Sequence, residues 1–383
     1  MSLRRLGYID QFRGLAAIFM IETHVVNALL LDPLRSHLTF KVLDFVNGLV
    51  APSFLFVAGF SFTLAVNRKG DAYRRFSPEL FKHLRRLLFI WATGYFLHIP
   101  YFSLRKSIHE STYTNILAFT AVDILQCIAA TLVLLHILRI IIKDDRKFNY
   151  VLYSLFGFFI FAAPLAGTID FTRIFSVAFA QYFNRMYGSL FPLFPWASFL
   201  IGGTIASQFM TQLSNISDSG NVQTSALKKV LWTGIAATVI GIAFSIYQTQ
   251  LLHTPHFTDY SPAWFLLRFG MLLLILYGIT LYEESREATF SPTKLFGRES
   301  FLVYTAHLVI VYGSTARNAS LVEKIGPTLN YIQCLGIFAL LALAMYAAAY
   351  VWNNLKQRNY NLSRLVQYTF IAGFFYLFIS NPY

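Results

Sequence analysis

Long apolar stretches separated by short charged clusters are the feature that most constrains the fold of this chain. Only 13% of its 383 residues are charged, whereas a soluble protein normally carries about a quarter. The stretches are roughly 18 to 25 residues long, which is what a helix needs to cross about 30 Å of hydrocarbon. Backbone groups find no water there, so helices are the expected spanning elements, and the period-2 alternation of a membrane barrel is absent.

This pattern predicts an all-α fold, a polytopic transmembrane bundle of about 11 helices (10–12). Residues 1–383 are expected to form a single transmembrane domain, because the sequence shows no soluble segment, no glycine-rich nucleotide loop and no internal repeat. The predicted spans are 11–31, 46–66, 87–103, 118–142, 149–167, 189–210, 230–247, 263–282, 299–314, 329–351 and 365–381.

The distribution of Lys and Arg predicts the orientation of the bundle. With the N-terminus in the cytoplasm, roughly 22 of the 31 basic residues fall in segments on the cytoplasmic side, which is a strong positive-inside bias. These residues flank apolar stretches and do not form solvated arms. The net charge of +13 therefore indicates membrane topology and does not point to nucleic acid as a partner.

The composition of three connecting segments predicts their structure or their location. Segment 67–86 is basic with interspersed aromatic and leucine residues, which predicts an amphipathic helix on the cytoplasmic surface. Segment 168–187 is predicted to lie on the outer face, and the polar segment 213–226 is predicted to be a mobile cytoplasmic loop.

The first span carries ionisable residues, which are costly in a membrane unless they have partners or a function. Arg13 and His24 fall within about 20° of each other on a helical wheel, with His24 about 16 Å further along the axis. Their shared stripe is expected to face the bundle interior or a cavity. Two structural alternatives remain open. Asp10 can pair with Arg13 as a helix cap, and His24 can be a buried histidine bonded to a backbone carbonyl.

A second polar stripe occurs late in the chain, where Ser300, Tyr304 and His307 share a helix face. Gly297 and Arg298 are expected to start that helix at the cytoplasmic surface, leaving His307 near mid-membrane. A helix N-terminus with an adjacent arginine favours anions. The alternative for His307 is a structural hydrogen bond between helices.

Other motifs are less specific. The stretch 50–61 has a proline early in a span and Gly59, which suits close helix approach. Asp123 and Gln126 stand at the start of the fourth span, and the stretch 191–196 breaks the beginning of the sixth. His253 and His256 are too isolated for a closed metal site, so no metal is expected.

In order along the chain, these stretches resemble a family of polytopic acyltransferases. Asp10, Arg13, Gly14 and His24 match a pattern shared by the heparan-α-glucosaminide N-acetyltransferase family, with its bacterial relatives, and the acyltransferase-three superfamily. The stretches 51–59, 123–127, 191–196 and 297–307 look more like the former family, and the similarity runs from about residue 5 to 310.

The resemblance implies an enzyme, an acyltransferase that uses acetyl-CoA. It would move an acetyl group from the cytoplasmic coenzyme to an amine or hydroxyl of a glycan on the far side. The expected setting is a bacterial inner membrane with its lipids, and a homodimer is compatible with it. His24 matches the first-helix histidine of the acyltransferase-three group. The lysosomal enzyme has asparagine there and a catalytic histidine just after the first helix, where His37 is the nearest one here.

These matches assign expected roles. His24 ranks above His37 as the base that deprotonates the acceptor, because an imidazole titrates near neutral pH. His307 or Tyr304 would stabilise the oxyanion. Coenzyme phosphates would be held at the cytoplasmic side by guanidinium groups. The residues expected to bind the cofactor are Asp10, Arg13, Arg85, Arg86 and Arg298.

Two other classes of protein remain open at the level of sequence. A transporter, such as a flippase for a lipid-linked sugar or a proton-coupled carrier, would also use buried Asp, Arg and His residues. The absence of an internal sequence repeat makes a transporter the less favoured class. The third class is a sensor or scaffold without chemistry.

Overall fold

The structure of this protein, a computed structural model, describes residues 7–216, 220–250, 261–284, 291–313 and 320–381. Across these ranges the regular elements are helices, and the β-type pairing is one isolated bridge between Leu30 and Leu329. The all-α prediction is confirmed. The helices are α1 (Gly7–Leu29), α2 (Leu38–Asn47), α3 (Val50–Lys69), α4 (Pro78–Leu97), α5 (Leu104–His109), α6 (Tyr113–Thr120), α7 (Ile124–Ile141), α8 (Asp145–Phe161), α9 (Ala163–Thr168), α10 (Val177–Ala180), α11 (Leu193–Ile216), α12 (Gly220–Gln250), α13 (Pro262–Glu284), α14 (Pro292–Arg298), α15 (Ser300–Tyr312), α16 (Leu321–Lys324), α17 (Tyr331–Arg358) and α18 (Tyr360–Ser380).

The helices group into two compact units. The described residues among 1–8, 51–95 and 120–287 form the first unit. The described residues among 9–50, 96–119 and 288–383 form the second. The single domain expected from the sequence stays a prediction.

Within the described ranges, seven helical stretches are long and apolar enough to cross a membrane. Each coincides with one of the predicted spans, and α15 is a shorter apolar helix within the predicted span 299–314. The chain thus has the apolar helices of an integral membrane protein. The number of eleven spans and the cytoplasmic N-terminus stay predictions. The seven stretches are Gly7–Leu29, Leu38–Tyr73, Ile124–Ile141, Ser225–Gln248, Pro262–Glu284, Tyr331–Arg358 and Tyr360–Ser380.

Two predictions about connecting segments are wrong. Segment 67–86 is not one surface helix, because α3 ends at Lys69, a 3₁₀ turn follows, and α4 starts anew at Pro78. Proline is favoured in the first turn of a helix, where its missing N–H costs nothing. Segment 213–226 was predicted to be a loop, but residues 213–216 end α11 and residues 220–226 begin α12. Residues 217–219 lie outside the described residues. The segment contains no proline that would end a helix. Its polar residues have a weak helix propensity, which the adjoining helical residues can override.

Close helix contact in the first unit confirms the packing interpretation of Gly59. A Cβ at Gly59 would meet the Leu200 carbonyl of α11, and one at Gly203 would meet the Phe56 carbonyl of α3. The Thr204 hydroxyl donates to the Gly59 carbonyl at 3.2 Å. Small residues thus let the two helices approach, and a hydroxyl bridges them.

The motifs at Asp123–Gln126 and at 191–196 both shape the backbone of the first unit. Asp123 is the N-cap of α7 and Gln126 completes a capping box, which satisfies amide groups at the helix start. Phe194 has non-helical backbone angles inside α11, so the predicted break at 191–196 is present.

In the second unit, α1 lies directly against α14 through two glycines. A Cβ at Gly14 would overlap the Thr293 carbonyl, and a Cβ at Gly297 would overlap the Asp10 carbonyl. Thr293 thus faces Gly14, and Gly297 faces Asp10. A single residue, Glu299, separates α14 from α15 and is the N-cap of α15. The position of α14 against α1 therefore also constrains where α15 begins.

This contact predicts that Gly297→Ala destabilises the protein by about 1–3 kcal/mol, the usual cost of overpacking. The new methyl group must displace backbone and cannot be accommodated by a side-chain rotation. Thermal unfolding in detergent measures the effect. Gly336→Ala on α17 is the matched control, because a Cβ there meets open space. Equal midpoints for the two variants would contradict the packing described here.

Candidate active site

The two histidines that sequence reasoning singled out lie against each other. His24 on α1 and His307 on α15 have ring centroids 5.2 Å apart, with the planes inclined at 44°. On α1 the neighbouring stripe residues Ala17 and Met20 are buried, so the stripe faces the interior there, as predicted. Two residues 283 positions apart, each proposed from its own helix, thus share one place in the second unit.

His307 is held by its own helix in one tautomer. Its side chain is fully buried, and Nδ1 lies 2.6 Å from the Val303 carbonyl oxygen. A carbonyl can only accept, so Nδ1 carries the hydrogen. Nε2 is buried and has no hydrogen-bond partner among the described residues. The neutral ring therefore presents an unshared electron pair at Nε2, which is the form of a proton acceptor.

His24 is oriented by a tyrosine that sequence reasoning missed. The Tyr312 hydroxyl lies 3.2 Å from His24 Nδ1, and the two rings are perpendicular with centroids 5.5 Å apart. His24 is half-buried, in contrast to His307. A ligand can therefore reach His24 more readily. Tyr312 stands at the end of α15, just before Gly313 in the left-handed conformation, and nothing in its local sequence signals the contact.

Tyr304 lies one turn before His307 and packs edge-to-face on it. The ring centroids are 6.1 Å apart, and Tyr304 is buried. The prediction that these two residues share a face of α15 is confirmed. The site thus contains two imidazoles and two phenol rings, all carried by α1 and α15.

An ion pair links the first turn of α1 to the last residue of α14. Arg298 Nε lies 3.5 Å from Asp10 Oδ2, and the Asp10 side chain is 5% exposed. The prediction that Gly297 and Arg298 start the late helix is wrong, since Arg298 is the last residue of α14. Asp10 reaches across to α14, because the glycine contact brings the two backbones together there.

A second ion pair holds the residue after Arg298. Lys356 Nζ on α17 donates to both carboxylate oxygens of Glu299 at 2.6 Å, and Glu299 is buried. Burying a carboxylate is costly unless a cation and hydrogen bonds compensate it. Glu299 therefore needs Lys356, and the turn between α14 and α15 is tied to α1 on one side and α17 on the other. Sequence reasoning missed this pair, since 57 residues separate its members.

The other residues predicted for the site lie on α1, at the start of α2 and on α4. Arg13 is half-buried on α1. His37 is exposed and forms the N-cap of α2 without a side-chain capping bond. Arg85 and Arg86 are exposed on α4, in the first unit. Their roles stay predictions.

No group of three or more His, Cys, Asp or Glu residues is arranged to hold a metal ion in the described parts of the chain. His253 and His256 lie outside the described residues.

The Asp10–Arg298 pair predicts a measurable energetic coupling between α1 and α14. In a double-mutant cycle with Asp10→Asn and Arg298→Gln, the coupling should be about 1 kcal/mol, because one partner is buried and the other partly solvated. Thermal unfolding of the four proteins in detergent gives the value. The control cycle uses Asp32→Asn and Arg35→Gln, an i,i+3 pair whose Asp32 side chain is 76% exposed, and should give less than about 0.5 kcal/mol. A smaller coupling in the first cycle than in the control would contradict this assignment.

A comparison with known protein families identifies the family of this chain. Residues 5–240 match the family described as heparan-alpha-glucosaminide N-acetyltransferase, catalytic. The match includes Asp10 to His24 and ends before α15, so His307 and Tyr312 lie outside it. No curated protein matches the chain. Because the matched residues make up more than half of the sequence, the chain belongs to the heparan-α-glucosaminide N-acetyltransferase catalytic family.

Proposed function

We propose that this protein transfers the acetyl group of acetyl-CoA to an amine or hydroxyl of a sugar, with the chemistry at His24 and His307. The observation that carries the proposal is the contact between a half-buried and a fully buried imidazole on two apolar helices. Membership of an acetyltransferase family supports the reaction class. The coenzyme would bind from the cytoplasm, and the acceptor would be a glycan on the opposite side of a bacterial inner membrane.

Acetyl transfer needs a proton acceptor next to the attacking group. The acceptor nitrogen or oxygen forms a bond to the carbonyl carbon, the carbon–sulfur bond breaks, and the coenzyme leaves as a thiol. The proton lost by the acceptor reaches the thiolate through an imidazole. His24 is the more accessible ring and is oriented by Tyr312, so His24 is assigned as the base. A ping-pong route through acetyl-histidine and a direct transfer both use this group.

The tautomer of His307 refines its role. While Nδ1 donates to Val303, neutral His307 cannot donate from Nε2 and so cannot stabilise an oxyanion in that state. It can accept a proton that His24 releases. The phenol groups of Tyr304 and Tyr312 are then the donors available to a developing oxyanion on these helices.

The charged residues divide into positioning and binding roles. The Asp10 carboxylate would repel coenzyme phosphates, and it already holds Arg298, so its contribution is to position that guanidinium. Arg298 is 41% exposed and retains donors for a phosphate. Arg13, Arg85 and Arg86 are proposed to contact the coenzyme as well. Membrane lipid and a second copy of the chain are the further proposed partners.

The proposal predicts that His24→Ala and His307→Ala each lower kcat by about 100-fold or more, the usual contribution of a positioned proton acceptor. Transfer from labelled acetyl-CoA to amino-sugar and hydroxyl acceptors, by the purified protein in detergent, measures this. His109→Ala is the control, since His109 is an exposed residue of the same unit. Wild-type rates in both active-site variants, with loss only in His37→Ala, would move the base to His37.

The same assay separates the base from its orienting group. Tyr312→Phe keeps the ring and removes the hydroxyl near His24, so kcat should fall about tenfold, the value of one hydrogen bond, while KM stays unchanged. An unchanged kcat would show that Tyr312 does not orient the base. Absence of transfer and of acetyl-CoA hydrolysis with every acceptor would refute the proposed function itself.

A further inference from the structure

A cleft in the first unit is lined largely by basic residues, none of which belongs to the histidine site. It occupies about 380 Å³ between the end of α3 and the first turns of α4. That volume is within the usual range for small-molecule sites. The lining residues are Lys69, Tyr73, Pro78, Glu79, Lys82, His83 and Arg86.

Positive charge exceeds negative charge in this cleft. Lys69, Lys82 and Arg86 face it together with a single carboxylate, that of Glu79. None of the three cations forms an ion pair with any residue that the structure describes. Other basic residues nearby behave differently, since Arg74 is paired with Asp145 at 3.0 Å. The cleft therefore concentrates more positive charge than its one carboxylate can balance.

Aromatic rings contact one another at the wall of the cleft. The His83 ring lies 5.5 Å from the Tyr73 ring and 4.9 Å from the ring of His136, measured between centroids. His136 is fully buried, and neither of its ring nitrogens has a hydrogen-bond partner in the described parts of the chain. Burial and the charge of Arg86 lower the pKa of His83. A neutral His83 can donate or accept a hydrogen bond at the wall of the cleft.

Two aromatic residues beside the cleft point outward. Phe76 and Phe81 stack with centroids 6.3 Å apart and are 73% and 53% exposed. They flank Pro78 in sequence, at the start of α4. Exposed aromatic residues next to basic ones are typical of the membrane–water interface. Lipid headgroups and soluble coenzymes both reach that level.

We infer that this cleft is a phosphate-binding site in which Lys69, Lys82, His83 and Arg86 contact the ligand. Ammonium and guanidinium groups form charge-assisted hydrogen bonds with phosphate oxygens, and the unpaired cations supply the attraction. The phosphate can belong to the nucleotide end of a coenzyme or to the headgroup of an anionic lipid. Only the coenzyme case rests on the proposed function.

Two probes distinguish these sources. Adenosine 3′,5′-bisphosphate, which carries the phosphates of the coenzyme without its thioester, is titrated calorimetrically into the full-length protein in neutral detergent. Phosphatidylglycerol is compared with phosphatidylcholine in nanodiscs holding the same protein. The variant Lys69→Gln/Lys82→Gln should bind the preferred probe about tenfold or more weakly. Binding should also weaken as salt is raised from about 0.05 to 0.5 M.

The matched control is Arg68→Gln/Lys143→Gln, which removes the same charge from exposed positions that do not line the cleft. It should leave the affinity for both probes unchanged. If neither probe binds, or if the double variant and its control bind equally, the inference is overturned. A single Lys82→Gln variant serves if the double variant does not fold. Retained probe binding without acetyl transfer would refute the proposed function and leave the phosphate site standing.

Discussion

The close contact between α1 and α14 is the constraint on which the second unit depends. Gly14 and Gly297 let the two backbones meet without intervening side chains, and the Asp10–Arg298 pair fixes their register. Because α15 follows α14 after a turn held by Glu299 and Lys356, fixing α14 also fixes α15. As a consequence, His24 on α1 and His307 on α15 lie with their ring centroids 5.2 Å apart.

Charge pairing explains why histidines, and not carboxylates, are the groups that we propose to be reactive. Asp10 and Glu299 are buried, and each is committed to a cation from another helix. Removing such a partner leaves an uncompensated charge in a medium that solvates it poorly. The two imidazoles are different, since a neutral ring tolerates burial and still exchanges a proton. The ion pairs build the scaffold, and the histidines remain available for chemistry.

Sequence periodicity predicted which residues face inward on each helix, but not which helices meet. The stripes of Arg13 to His24 and of Tyr304 to His307 follow from 3.6 residues per turn, and the capping role at Asp123 is also local. The contact between α1 and α14, the Glu299–Lys356 pair and the Tyr312 contact with His24 are long-range packing results that no local pattern encodes. Segments 67–86 and 213–226 were wrongly predicted because composition indicates polarity more reliably than it indicates where a helix ends.

The central claim is that the acetyl thioester is consumed between α1 and α15. An electron cryo-microscopy structure with a thioether analogue of acetyl-CoA, which binds but cannot transfer its acyl group, tests this directly. The account predicts that the carbonyl carbon lies within about 4 Å of a ring nitrogen of His24 or His307. A carbonyl carbon bound beside His37, or beyond hydrogen-bond reach of both histidines, would contradict it.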